Sequence, residues 1–170
     1  CTKDSVTPLH VACANDKIND FEKMKPLQHQ IKILENIKNH YEINDYGRLY
    51  LPCGTGKTAI GFFTAINILK CNNVFIVVPS LYLLSETYET WAKQLYDNKD
   101  YVFLLIGSDI DKKEDNTFEY NLTTDTNEIK EFIKIYKSKK IITITTYQSS
   151  QLLKNTSEEL KFKFDLGIFD

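Results

Sequence analysis

The chain lacks any apolar run near the roughly 18 residues that a membrane-crossing helix needs. That excludes a helical membrane anchor within these residues. It has no secretory leader, and it begins at Cys1 rather than Met. We therefore expect an intracellular protein, cytoplasmic or nuclear, and a piece of a longer or processed chain. Cysteine is sparse: Cys1, Cys13, Cys53 and Cys71 make no Cys-x-x-Cys pair, and His10, His29 and His40 stand at no metal-ligand spacing to them. A zinc cluster and a disulfide scaffold are thereby disfavoured, and reduced thiols are expected. An excess of either charge is also missing. The 21 Lys and Arg against 23 Asp and Glu leave a formal net charge of −2, so bulk attraction to nucleic acid is not available and only a local strip could supply it. Hydrophobic content of 42% over 170 residues is enough for one domain with a real core.

With only four prolines and six glycines, the places where they gather are informative. Arg48–Thr58 reads RLYLPCGTGKT. The apolar run Leu49–Leu51 predicts a short strand, Pro52 and Cys53 lead into Gly54-Thr55-Gly56, and Lys57-Thr58 opens a helix expected to reach about Leu69. Strand, glycine loop and helix in this order build a phosphate cradle, because glycines let backbone N–H groups crowd an anion without a Cβ in the way. Lys57 is expected on the β- and γ-phosphates of a nucleotide, and the Thr58 hydroxyl on Mg²⁺. The longer P-loop pattern has a glycine where this chain has Leu51. The shorter Gly-Thr-Gly-Lys-Thr form after an apolar strand and Pro52 resembles motif I of superfamily 2 helicases and translocases.

Along the rest of the chain, residues 1–24 predict an irregular leader. Thr7–Ala12 (TPLHVA) matches an ankyrin signature, but nothing like it recurs, so we expect chance or a simple leader. A helix is predicted from Lys25 to about Tyr41, with Pro26 in its first turn and Leu27, Ile31, Leu34 and Ile37 on one face. Val74–Val78 is a continuous apolar run of the kind buried on both faces of a parallel sheet. Pro79 to Trp91 predicts a helix with Leu81, Leu84, Tyr88 and Trp91 in its core. Tyr101–Ile106 predicts a strand, and residues 108–125 a solvated loop. A calcium loop counted from Asp109 fails, since the sixth position is Glu114 and the twelfth is Tyr120. Asp125 and Glu128 have capping-box spacing before a helix to about Tyr136. Ile141–Ile144 is a strand followed by Thr145-Thr146-Tyr147-Gln148-Ser149, and Phe164–Asp170 is an apolar strand ending in a carboxylate. Three polar clusters follow apolar strands at their carboxyl ends, where open parallel sheets place ligands.

These segments extend the resemblance to superfamily 2, restriction-system type, over Lys25–Asp170. Lys25–Gln30 resembles the run just upstream of motif I, which implies that Gln28 reads adenine. Leu27 replaces the usual aromatic there and Gln30 the usual acid. Pro79–Trp91 resembles motif Ia, with Glu86 where Gln is usual, and implies nucleic-acid contacts from Ser80 and Ser85. Thr145–Ser149 resembles motif Ib and implies phosphate contacts from Thr146 and Ser149. The closing strand resembles motif II and makes Asp170 the Mg²⁺ carboxylate.

The implied fold is α/β, a three-layer sandwich with a mostly parallel central sheet, as in the first RecA-like lobe of these motors. Residues 25–170 would form an incomplete lobe, one residue short of the expected catalytic Glu. The implied cofactors are ATP and Mg²⁺, with Lys57 and Asp170 catalytic and Pro52, Cys53, Gly54, Thr55, Gly56, Lys57 and Thr58 cradling the nucleotide. The implied partners are nucleic acid, DNA ahead of RNA, a second RecA-like lobe, and an accessory domain such as a nuclease. An isolated fragment of this kind is expected to bind nucleotide weakly and hydrolyse little. The alternatives are another P-loop NTPase, such as a small kinase, and a non-catalytic nucleotide- or protein-binding module. A kinase would need a lid and an acceptor pocket that the sequence does not show.

Overall fold

The structure, a computed structural model, describes residues 22–108 and 121–170. The ankyrin-like hexapeptide and the acidic stretch Asp109–Asp115 lie outside them. Four strands, β1 (Asn73–Val78), β2 (Tyr101–Ile106), β3 (Lys140–Thr146) and β4 (Leu166–Phe169), form one sheet in the order β2-β3-β1-β4. Every pairing is parallel, with Val74 opposite both Ile142 and Leu166 and Ile76 opposite both Ile144 and Ile168. The helices are α1 (Gln28–Tyr41), α2 (Lys57–Phe62), α3 (Leu81–Leu95), α4 (Thr126–Ile135) and α5 (Ser150–Leu160).

Side chains alternate across the sheet, so the two faces build two separate cores. On one face Val74, Ile76, Val78, Leu105, Ile142 and Ile144 pack with Leu34 of α1, Ile60 and Phe62 of α2, and Leu81, Leu84, Tyr88 and Trp91 of α3. On the other face Val102, Leu104, Ile106 and Ile141 pack with Ile129, Phe132 and Ile133 of α4 and Leu153 of α5. This is the three-layer α/β sandwich expected of a RecA-like lobe, and the four core residues expected on α3 are all buried. At about 1.5–3 kcal/mol for each large side chain removed from water, both cores matter to the fold. No helix of the described residues is long and apolar enough to cross a membrane.

Four local expectations are corrected. Leu49–Leu51 does not join the sheet. The run is only three residues between Arg48 and Pro52, and its approach is fastened to α1 instead: His40 Nε2 donates to the Tyr46 carbonyl at 2.8 Å. The helix after Lys57 does not stay α to Leu69, because Phe63–Ile68 winds as a wider π turn. The change begins where two bulky neighbours, Phe62 and Phe63, are both buried, edge to face at 5.8 Å. Pro26 precedes α1 rather than lying in its first turn, and Leu27 is the N-cap. At α4, Asp125 caps the helix by accepting from the Asn127 N–H at 2.7 Å, but Glu128 turns to the Thr123 hydroxyl at 2.5 Å, so the reciprocal half of the capping box is not made.

Candidate functional site

The glycine loop sits where α1, α2 and α3 converge. Gly54 and Gly56 have φ of 80° and 78°, the left-handed region that side chains with a Cβ rarely enter, so the two glycines are what lets the backbone turn here. Thr55 closes the turn by donating its hydroxyl to the Pro52 carbonyl at 2.8 Å. Pro52, Cys53, Gly54, Gly56 and Lys57 are exposed, while Thr55 and Thr58 are half-buried. A nucleotide could therefore reach the loop's backbone and the Lys57 ammonium without displacing core.

Two buried side chains brace this loop from behind. Trp91 of α3, 1% exposed, donates its indole N–H to the Thr58 carbonyl at 3.3 Å and meets Phe62 edge to face at 5.4 Å. Gln30 of α1, 3% exposed, donates to the Thr55 carbonyl at 3.0 Å and accepts the Leu27 N–H at 2.9 Å. Its Nε2 lies so close to Gly56 that an added Cβ there would stand 2.6 Å away. Gln28, the expected base reader, is exposed on the first turn of α1. Sequence reasoning passed over Gln30. The signal was available: Gln30, Leu34 and Ile37 share one helical face, and a polar residue on an otherwise inward stripe needs a buried partner.

An open cleft of about 910 Å³ runs from the start of α2 to the edge of β4, lined among others by Lys57, Thr58, Thr64, Trp91, Ile168 and Asp170. Lys57, Thr58 and Asp170 thus share one cleft, although Asp170 lies more than a hundred residues from the other two in the chain. Asp170 follows the last paired residue of β4, and its N–H still donates to the Val77 carbonyl at 3.0 Å. Tyr147 reaches the same place, its hydroxyl donating to the Asp170 carbonyl at 3.0 Å.

The expected nucleic-acid contacts divide into two kinds. Ser80 is exposed and caps α3 through the Leu83 N–H at 3.3 Å, and Ser85, half-buried, donates to the Tyr82 carbonyl at 2.8 Å. Thr146 and Ser149 are buried, and Thr146 Oγ1 accepts the Ser149 N–H at 3.4 Å, so these two shape the turn between β3 and α5. Both described cysteines are free: Cys53 is exposed in the loop, and burial pushes the Cys71 thiol up to about 11, with the Asp165 carboxylate adding to the effect.

A comparison with curated protein sequences gives no match. Among solved structures, the chain is similar to an ATP-dependent Type ISP restriction-modification enzyme, LlaBIII, bound to DNA. That likeness has 24% identity and a TM-score of 0.67 and covers 81% of this chain and 10% of that one. It is also similar to a nuclease-deletion mutant of the Type ISP enzyme LlaGI in complex with a DNA substrate mimic, with 25% identity, a TM-score of 0.69 and coverage of 84% and 12%. The chain thus spans about a tenth of the length of the solved proteins it resembles. The family model of the type III restriction enzyme res subunit matches residues 23–170. With that match over most of its length, the chain belongs to the type III restriction enzyme res-subunit family, and its described residues form a helicase-like RecA lobe of the superfamily 2 restriction-system type.

Proposed function

We propose that this lobe binds ATP and Mg²⁺ and serves a DNA-dependent ATPase that converts hydrolysis into movement along DNA. The observation that carries the reading is the exposed Gly54–Lys57 loop, whose Lys57 lines one cleft together with Thr58 and Asp170. The loop's N–H groups and Lys57 hold the phosphates, and charge neutralisation with positioning supplies the catalysis. Gln30 ties the base-side helix α1 to the loop, with Gln28 beside it on the same turn. The donor set fits a magnesium ion. Thr58 and Asp170 offer hard oxygen ligands on one cleft, and no cluster of three or more His, Cys, Asp or Glu occurs among the described residues. Magnesium is commonly held by one or two protein oxygens, the substrate phosphates and water. Bound there, the ion would neutralise charge on the transferring phosphoryl group.

On the same carboxyl rim, Ser80, Ser85 and the turn shaped by Thr146 and Ser149 form the DNA-facing surface. A second RecA-like lobe would complete the nucleotide site, and a nuclease or other accessory domain would use the motion.

Binding of a fluorescent N-methylanthraniloyl ATP to the chain, with and without Mg²⁺, tests the first part. Lys57→Ala should weaken binding about tenfold or more, the loss of one charge-assisted contact. Equal binding by the variant sinks the reading. For the second part, the ATPase rate of the full-length protein is compared with single-stranded DNA, double-stranded DNA and RNA, and stimulation by DNA is expected.

A further inference from the structure

Tyr147 belongs to none of the roles above, yet it makes a long reach across the sheet rim. Its backbone N–H donates to the Val78 carbonyl at 3.0 Å, which fixes it at the end of β1. Its hydroxyl then donates to the Asp170 carbonyl at 3.0 Å, at the end of β4. In the order β3-β1-β4, one side chain from the end of β3 therefore spans the central strand and holds the strand beyond it.

The residue it holds needs holding. The last ladder pair of β4 is Val77 with Phe169, so Asp170 lies just past the regular sheet. One of its backbone groups is fixed by β1, through Asp170 N–H to Val77 O at 3.0 Å. The other is fixed only by Tyr147 among the bonds the described residues make. Together they tie down the main-chain amide and the main-chain carboxyl oxygen on either side of the Asp170 Cα, which leaves the side-chain carboxylate its own two torsions. Phe169, its neighbour, is 65% exposed, its ring meeting Phe75 edge to face at 5.5 Å.

We propose that Tyr147 is a positioning residue that aims the Asp170 carboxylate at the metal of the nucleotide site; this rests on the nucleotide-binding reading above. It touches neither metal nor nucleotide. It acts through the backbone of the residue that does, as outer-shell partners of metal ligands generally do.

The test is a Mg²⁺ titration of N-methylanthraniloyl-ATP binding, run on the chain and on Tyr147→Phe, Asp170→Asn and Lys57→Ala. The Phe variant keeps the ring and removes only the hydroxyl. Binding in EDTA serves as its control for folding, because a general structural defect would move that too. The expected result is unchanged metal-free binding by Tyr147→Phe, with the Mg²⁺ concentration for half-saturation raised about tenfold, and a larger rise for Asp170→Asn. A Tyr147→Phe curve that overlays the wild type while Asp170→Asn shifts overturns the positioning role and leaves the nucleotide site standing. So does an equal loss of binding with and without metal. If binding by the unmodified chain ignores both Mg²⁺ and the Lys57 substitution, the nucleotide reading falls and the inference falls with it.

Discussion

The glycine loop between residues 52 and 58 and the turn at Thr146–Ser149 resemble each other in sequence. Each is a small-residue, hydroxyl-rich segment that follows an apolar run and leads into a helix. In the structure they are opposites. The loop is exposed, takes its shape from two left-handed glycines, and is braced by side chains from other elements, Gln30 and Trp91. The turn exposes Tyr147 and Gln148 but buries Thr146 and Ser149, and it takes its shape from its own hydroxyls and amides. The difference separates two ways of making a polar loop. One leaves backbone N–H groups free for a ligand, and the other spends its polar groups on itself.

Substitutions can break or sharpen this contrast. The largest effect is expected from Gly56→Ala. It forces a side chain into the left-handed region, at about 1–2 kcal/mol. It also pushes a methyl against Gln30 Nε2. Urea denaturation should show a loss above that range, and nucleotide binding should fall at least tenfold. Adding Gln30→Ala should recover part of the stability, and no recovery would mean that crowding is not the cause. Gly54→Ala comes next. Its φ is equally positive, but an added Cβ meets nothing within 4 Å, so only the backbone cost of about 1–2 kcal/mol should appear. Thr146→Val is the smallest. It removes a buried hydroxyl acceptor while the Ser149 N–H keeps the Thr146 carbonyl at 3.1 Å, so about 1 kcal/mol or less of stability should go. Nucleotide binding should not change. A Thr146→Val defect as large as that of Gly56→Ala would erase the distinction drawn between the two loops.

What could be read from sequence follows from how local each cause is. The strand Tyr101–Ile106 and the buried stripe of α3 announce themselves through apolar patterning, and both appear where expected. The meeting of Lys57, Thr58 and Asp170 was legible through the resemblance of their two segments to motifs I and II, and only Asp170 follows a strand end on the rim where parallel sheets place ligands. The missed features depend on particular side-chain bonds that composition and spacing do not specify. Leu49–Leu51 looks like a strand by composition, but pairing needs a neighbour in register, and the His40 contact directs the chain elsewhere. Glu128 has capping-box spacing, but Thr123 offers it a nearer donor. Gln30 and Tyr147 matter through bonds to residues 25 and 23 positions away; the inward face of α1 signals a partner for Gln30 but does not say that it is Thr55.

The indole behind the loop has one more consequence. Trp91 is the only tryptophan in the chain, so its ultraviolet-excited emission comes chiefly from one ring. That ring is sealed from solvent and bonded to the carbonyl of Thr58, the residue that closes the phosphate loop. A shift of the loop when a ligand arrives would change the hydrogen bond and, with it, the emission wavelength and intensity. The protein thus carries a built-in optical gauge of its own loop, readable without any label.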